Sequence, residues 1–186
     1  MIRKIVRYPD PVLRAKCRDV ATITPEIRTL VTDMLETMHE ANGIGLAAPQ
    51  VGVDVQLAVI DLAHNPDSIS YMKIDGEKVA MPQHMPVILI NPKLELGSAK
   101  EIGEEGCLSF PRLRGDIRRA YEIKVTYMDL DGKTVTVETD GLLARAFQHE
   151  IDHLNGILFI DRLNAVAKVG MKRKLARLMD EWAEDD

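Results

Sequence analysis

The 186-residue sequence has no long apolar run, only two cysteines and no excess of positive charge, and each of these features argues against a class of protein. No apolar run reaches the roughly 18 residues that a membrane helix needs, and the charged N-terminus MIRKIVRYPD lacks the apolar stretch of a signal peptide. Two cysteines, Cys17 and Cys107, are too few for a disulfide framework. Positive charge is not in excess, because 24 basic and 29 acidic residues leave a net charge of −5. We therefore expect a cytoplasmic protein that binds neither membranes nor DNA.

Three helices are predicted by apolar residues that recur at helical spacing. The first lies between Thr24, which can cap it, and Gly43, which can end it. The second runs over about 142–154, and the third covers about 163–182. With 46% apolar side chains the chain can bury a full core, so we expect one domain over residues 1–186.

Strand patterns lie between the first and second helices. QLAVID at 56–61 and PVILIN at 86–91 are typical of buried strands, and alternation on both sides of Asp131-Gly132 predicts a hairpin. Residues 63–86 lack periodicity and predict a surface excursion. Because the helices and strands follow no strand–helix–strand rhythm, the pattern predicts an α+β fold with small, mostly antiparallel sheets.

HEIDH, residues 149–153, places two histidines four positions apart in the second predicted helix. Side chains at positions i and i+4 lie on one helix face, so His149 and His153 can offer their imidazoles to one ion. Glu150 follows the first histidine, where it can handle the proton of a water on that ion. The motif therefore predicts a catalytic metal site.

A catalytic metal site of this kind needs a third protein ligand. The extended pattern H-E-x-x-H-x-x-G-x-x-H fails because its last position is Phe159, which cannot bind a metal. A distal glutamate, Glu181 or Glu184, would complete a zinc endopeptidase site, although both lie in the acidic tail EWAEDD. Cys107 in EEGCLSFP would instead give a thiolate and two imidazoles with a fourth position open. That set suits Fe(II), Zn, Co or Ni.

GIGLAAPQ, residues 43–50, has too little glycine for a phosphate-binding loop and lacks its Lys-Ser or Lys-Thr pair. Its glycines would let a substrate's backbone come close, and Gln50 offers a side-chain amide as a hydrogen-bond donor. The alternative is an ordinary loop after the first helix.

Three stretches, GIGLAAPQ, EGCLS and HEIDHLNG, occur in this order and closely resemble the signature motifs of the peptide deformylases. The resemblance extends from YPDPVLR near the start to GILFIDRL after the metal helix. It implies a small α+β domain in which a central, metal-binding HExxH helix packs against antiparallel strands, with helices at both ends. It also implies an enzyme that removes the formyl group from the N-terminal formylmethionine of nascent polypeptides.

The resemblance implies a metal centre built from three residues. Cys107, His149 and His153 would bind one divalent ion per chain. Iron(II) would be the physiological metal, and zinc, nickel or cobalt could occupy the site in purified protein.

The resemblance also implies a mechanism. The metal would lower the pKa of water, and the resulting hydroxide would attack the formyl carbon. Glu150 would take the proton and later deliver it to the departing amine. The side-chain amide of Gln50 and the backbone N–H of Leu108 would stabilise the oxyanion.

Substrate contacts follow from the same resemblance. The peptide backbone would pair as an added strand against Ile44–Gly45 and Gly106. The methionine side chain would enter an apolar pocket, formed by Ile44, Leu142, Ala146 and His149. Arg145 departs from the family pattern, since relatives often carry an apolar residue there. We expect it to snorkel to solvent and meet later residues of the peptide.

Support for the metal ligands is expected from an ion pair, and the alternative for both of its residues is a solvated charge on the surface. Glu105, two residues before the cysteine, resembles a family glutamate that pairs with an arginine, here Arg119. Such a pair would orient the metal ligands through hydrogen bonds on the side that faces away from the metal. Asp152 could orient a neighbouring group, but the default expectation is an ordinary carboxylate on the helix surface.

Residues 162–177 carry six basic and no acidic side chains within a net-acidic protein. Such a run is usually the solvated face of a helix. Since deformylases act as chains leave the ribosome, the resemblance adds the hypothesis of a ribosome contact, through ribosomal RNA, at this C-terminal helix.

Two other functions stay open on the sequence alone. One is the zinc endopeptidase with a distal glutamate such as Glu181. The other is a catalytically inactive module that keeps the fold and captures N-terminal peptides. Replacing Cys107 by Ser separates the first from a deformylase, because only the deformylase would lose its metal, and an assay on a formylated dipeptide separates the second.

Overall fold

The computed structural model describes residues 1–65 and 70–184 of the chain. Within these residues the helices are α1 (Pro25–Glu40), α2 (Gly141–Leu154) and α3 (Ala165–Glu184). The strands of the same residues are β1 (Gly45–Ala47), β2 (Leu57–Ile60), β3 (Met72–Ile74), β4 (Glu77–Val79), β5 (Val87–Leu96), β6 (Lys100–Cys107), β7 (Phe110–Ala120), β8 (Glu122–Met128) and β9 (Thr134–Asp140). This mixture of helices and antiparallel strands confirms the α+β class.

The helices predicted from apolar spacing are present, with small shifts at their ends. The hydroxyl of Thr24 caps α1 by accepting the N–H of Ile27 at 3.3 Å. α1 ends at Glu40, three residues before the predicted terminator Gly43. α2 and α3 begin and end within two residues of the predicted bounds, which is the usual uncertainty of a helix end.

Two sheets form within the described residues. The larger has the strand order β1-β2-β5-β8-β9-β3-β4, and β6 and β7 pair separately. The hairpin predicted around Asp131-Gly132 joins β8 to β9, with Glu122 opposite Asp140 and Met128 opposite Thr134. The two predicted buried strands correspond to β2 and to the first half of β5.

The prediction of a surface excursion over 63–86 is wrong for β3 and β4, although most described side chains of the segment are exposed or partly exposed. β3 pairs with β9 and β4 pairs with β3, so the segment extends the larger sheet. The side chain of Met72 in β3 is buried in the core. Strands of three residues are too short to show a period of two in the sequence, which explains the miss. Residues 66–69 of the segment lie outside the described part.

α1 and α2 pack on opposite faces of the larger sheet. In β2, Leu57 and Val59 belong to the apolar cluster of α1, and Ala58 and Ile60 belong to the cluster of α2. Successive side chains of a strand point to opposite faces, so a strand covered on both sides is apolar throughout, as LAVI is. α2 therefore lies in the interior of the molecule.

α2 is also fixed to the end of β7. The side-chain amide of Gln148 accepts the N–H of Ala120 at 3.0 Å and donates to the carbonyl of Ala120 at 2.9 Å. This pairing sets the second half of α2 beside the β6–β7 sheet.

α3 packs on the outer side of β7 through its C-terminal half. Leu178 and Trp182 join Leu113 and Ile117 of β7 in a third apolar cluster. Among the helices of the described residues, none combines the length and apolar character needed to cross a membrane.

Candidate metal centre

α2 brings His149 and His153 together, one helical turn apart. Their ring centroids are separated by 5.0 Å and their planes are inclined by 68°. His153 is buried and His149 is partly buried. The spacing predicted from HEIDH thus produces two imidazoles that face one point.

The third donor comes from the end of β6. The strand register shifts between Gly106 and Cys107, and the Sγ atom of Cys107 lies 3.3 Å from Nε2 of His153. The ligand atoms of Cys107, His149 and His153 all lie within 4.8 Å of one another. Metal bonds of about 2.3 Å to sulfur and 2.0 Å to nitrogen would place tetrahedral ligands about 3.5 Å apart. The donor set and its spacing therefore fit a metal ion.

Glu105 holds His149 from behind. Its Oε2 accepts the Nδ1 proton of His149 at 2.9 Å, which leaves Nε2 of that ring free to bind a metal. Arg119 donates to both carboxylate oxygens of Glu105, at 2.8 and 3.0 Å. Burial alone would raise the pKa of Glu105, but the hydrogen bonds from His149 and Arg119 outweigh it and hold the pKa far below its usual range. Glu105 and Arg119 thus meet as the sequence predicts.

The two histidines have opposite pKa shifts. Burial opposes the charged form of His149, yet hydrogen bonds with Cys107 and Glu105 raise its pKa well above the usual value. Burial lowers the pKa of His153 well below the usual value, and the neighbouring His149 adds to this effect. Surroundings that favour a proton at His149 also favour a metal cation there, while His153 presents a neutral ring.

Glu150 points into the same space. Its side chain is 4% exposed, and its Oε2 has no hydrogen-bond partner among the described residues. Burial raises its pKa to about 7. A Cβ atom on Gly45 would lie 2.3 Å from Oε1 of Glu150, so only glycine lets β1 pass this close to the carboxyl group.

Gln50 lies next to the donor Cys107. The Ala47 N–H donates to its Oε1 at 2.9 Å, which turns its amide nitrogen towards Cys107 Sγ at 3.4 Å and Ser109 Oγ at 3.2 Å. The side chain is 1% exposed. The fixed amide gives the site a hydrogen-bond donor next to the cysteine.

A cavity of about 860 Å³ opens beside these groups. Its lining includes the residues predicted to bind substrate, which are Ile44, Gly45, Gly106, Leu142 and Ala146. It also includes the metal-ligand candidate His149 and the predicted catalytic residues Leu108 and Glu150. Its walls combine apolar side chains with Cys107 and His149, two of the three donors, and with Glu150. Such a cavity is typical of a binding site for a small apolar side chain carried by a polar backbone.

The structure corrects two predictions about charged residues on α2. Arg145 does not snorkel to solvent: it is 6% exposed and donates to Oε1 of Glu105 at 3.0 Å. Asp152 is not an ordinary surface carboxylate: it is 8% exposed and binds the guanidinium groups of Arg119 and Arg162. Each partner lies on another element of the fold, so helical spacing alone could not predict the contact.

Two further observations concern residues outside the predicted site. Ser109 is fully buried and holds the amide of Gln50, a role that its place in EGCLS could have suggested. Glu181, the alternative metal ligand, pairs with Arg112 at 3.0 Å. The donors that the structure brings together are therefore those of the cysteine arrangement.

The sequence profile of the family described as polypeptide deformylase matches residues 2–169. The chain belongs to this family. A peptide deformylase from Methylacidiphilum infernorum is 46% identical over 178 residues, covering 96% of this chain and 93% of that protein. The crystal structure of a peptide deformylase from Legionella pneumophila has a TM-score of 0.81 and 36% identity, covering 98% of each chain. A plant peptide deformylase structure has a TM-score of 0.83 and 35% identity, covering 98% of this chain and 92% of that one.

Family membership fixes the general activity. Peptide deformylases remove formyl groups from protein N-termini, so the chain is an enzyme, a hydrolase of N-terminal processing in protein biosynthesis. The family is metal-dependent, and the group Cys107, His149 and His153 is the set of donors that could hold its ion.

Proposed function

We propose that the protein hydrolyses the formyl group of N-formylmethionyl nascent polypeptides at a divalent metal ion held by Cys107, His149 and His153. The observation that carries the proposal is the meeting of these three donors, of which Cys107 and His149 line the cavity together with Glu150. A metal ion bound there would act as a Lewis acid towards water and the formyl carbonyl. We propose iron(II) as the physiological metal, with zinc, nickel or cobalt as substitutes.

Glu150 moves the proton in this proposal. Its buried carboxyl group has an oxygen, Oε2, with no partner in the described part of the chain. That oxygen accepts a proton from the attacking water and returns it to the amine nitrogen that leaves. Because Gly45 has no Cβ, β1 passes directly beside this carboxyl group.

Gln50 and Leu108 stabilise the oxyanion that forms when the formyl carbon is attacked. The hydrogen bonds at both ends of the Gln50 amide fix its orientation, and the N–H that faces Cys107 Sγ is the one that donates to the oxyanion. The backbone N–H of Leu108, next to the metal ligand Cys107, is the second donor in the proposal.

The cavity selects the substrate. The methionine side chain lies against Ile44, Leu142 and Ala146, which line one continuous surface with His149. The peptide backbone adds as a strand along Ile44–Gly45 and Gly106, whose small residues leave room for it. Formyl is the smallest acyl group, so a closed site of this kind admits it and excludes larger groups.

We further propose that residues 1–186 act as one domain in the cytoplasm, where nascent chains emerge. The exposed basic side chains Lys168, Lys172 and Arg173 of α3 support a contact with ribosomal RNA. The apolar side of α3, with Leu178 and Trp182, is covered by β7, so the basic side remains available.

The decisive experiment measures formate release from a formylmethionyl dipeptide by protein purified without oxygen and loaded with Fe²⁺, Ni²⁺ or Co²⁺. We expect turnover that disappears on chelation and returns with metal. Glu150→Gln should retain its metal and lose nearly all turnover, whereas Glu77→Gln, an exposed glutamate on β4, should change neither. Cleavage of an internal peptide bond without formate release would refute the proposal in favour of an endopeptidase.

A further inference from the structure

Arg145 lies one helical turn before the ligand His149 and reaches two strands at once. Its guanidinium donates to Oε1 of Glu105 at 3.0 Å and to the carbonyl of Ile117 at 2.9 Å. It also lies 3.4–3.5 Å from acceptors of Glu101. One side chain of α2 thus binds both β6 and β7.

Gly103 provides the space for this guanidinium. Residues 101, 103 and 105 of β6 point to the same face of the strand, because side chains alternate. A Cβ atom at Gly103 would lie 3.0 to 3.1 Å from the Cζ, Nη2 and Nε atoms of Arg145. Gly103 and Arg145 are therefore matched in volume, and a methyl group at 103 would displace the guanidinium.

The two oxygens of Glu105 connect Arg145 to the metal centre. Oε1 accepts from Arg145 and Arg119, while Oε2 accepts from His149 and Arg119. Any movement of the carboxylate towards or away from Arg145 therefore also moves the group that orients His149.

Glu105 belongs to a network of buried ion pairs. The carboxylates of Glu105 and Asp152 contact the guanidinium groups of Arg119 and Arg145. Removing one partner of such a buried group leaves a charge without compensation. Loss of Arg145 would thus leave the carboxylate of Glu105 less firmly held at its Oε1.

We propose that Arg145 is a positioning residue for the metal centre. By joining α2 to β6 and β7, it holds Glu105, and through Glu105 it fixes the ring of His149 relative to Cys107. The inference rests on the proposed function in that Cys107 and His149 are taken as metal ligands. Arg145 itself acts only through Glu105.

The test uses the variants Arg145→Met and Gly103→Ala and the double variant that combines them. The control is Arg18→Met, which removes an arginine whose side chain is 72% exposed and paired with Asp54. Each folded protein is loaded with Co²⁺, and its visible absorption and the rate of Co²⁺ release into excess chelator are measured without substrate. The absorption of Co²⁺ reports the geometry of its ligands, which a purely structural role of Arg145 would leave unchanged.

Arg145→Met should release Co²⁺ about tenfold faster than the wild type, the lower end of the 10- to 100-fold effects of outer-sphere partners. Gly103→Ala should shift the absorption and speed release in the same direction, although it leaves Arg145 in place. The double variant should release Co²⁺ no faster than Arg145→Met, because the methyl group has room once the guanidinium is gone. Arg18→Met should match the wild type.

Release rates and spectra of Arg145→Met and Gly103→Ala that equal those of Arg18→Met would overturn the proposal, as would additive effects in the double variant. If Arg145→Met does not fold, Gly103→Ala decides alone. The Co²⁺ measurements need no turnover, so they remain distinct from the formate assay. A wild type that binds Co²⁺ but releases no formate would refute the proposed function without deciding the role of Arg145.

Discussion

Replacing Gln50 by Ala should slow deformylation while leaving the metal ligands in place. The amide of Gln50 is fixed at both ends, by the N–H of Ala47 at 2.9 Å and by Ser109 Oγ at 3.2 Å. Its nitrogen faces Cys107, so it is oriented for an oxyanion that forms beside the metal centre. Alanine removes this donor and adds no charge.

Gln50→Ala should lower both kcat and the free energy of unfolding, and the size of each effect can be estimated. Loss of one preorganised oxyanion donor costs about 2.7–4 kcal/mol of transition-state stabilisation, or about 10²–10³ in kcat. The variant also leaves the buried Ala47 N–H without its acceptor, which costs about 1–3 kcal/mol of stability. The second effect lowers the free energy of unfolding, but it does not reduce the kcat of molecules that remain folded.

A matched control separates the two effects. Gln56 is also a buried glutamine, but it donates to the carbonyls of Cys17 and Leu154, at 3.2 and 3.0 Å. Gln56→Ala should lower the unfolding free energy and keep kcat, whereas Gln50→Ala should lower both. The assay is formate release at saturating substrate with equal metal content. A Gln50→Ala enzyme with wild-type kcat would refute the oxyanion role.

Two further predictions concern alkaline stability and the ribosome. Burial raises the pKa of Tyr127 from 10.0 to about 12. The contribution of its neutral form to the unfolding free energy is therefore fully present below pH 10. This stability is lost as the pH rises from 10 through 12, by about 2.7 kcal/mol in total once the pH is above 12. Tyr127→Phe should lose less unfolding free energy between pH 9 and pH 12 in urea titrations, and parallel losses in both proteins would contradict this cause. Charge reversal at Lys172, Arg173 and Lys174 should weaken co-sedimentation with ribosomes more strongly at low salt, and unchanged co-sedimentation would argue against the contact.

The local part of the site could be predicted from the sequence. Helical spacing within residues 149–153 determines that His149 and His153 share a face, and the structure shows this arrangement. The partner Cys107 lies more than 40 residues earlier. Its meeting with the histidines depends on the packing of β6 against α2, which periodicity does not encode. Its assignment in the sequence therefore rests on the motif order and on the failure of the other candidate ligands.

The buried ion network could not be predicted in the same way. Arg145 and Asp152 lie on a helix whose charged residues would ordinarily face water, and nothing nearby in the sequence marks their partners. Asp152 meets Arg119, 33 residues away, and Arg145 meets Glu105, 40 residues away. Long-range pairing of charges becomes visible only once the β6–β7 sheet is placed beside α2.

The most direct test of the metal centre is the X-ray absorption spectrum of the zinc-loaded protein. The three donors predict one sulfur at about 2.3 Å and two imidazole nitrogens at about 2.0–2.1 Å from the ion. In Cys107→Ser the sulfur signal should vanish, and in Cys17→Ser, which alters the other cysteine of the chain, a buried one, it should persist. A wild-type spectrum with only nitrogen and oxygen neighbours would contradict the account.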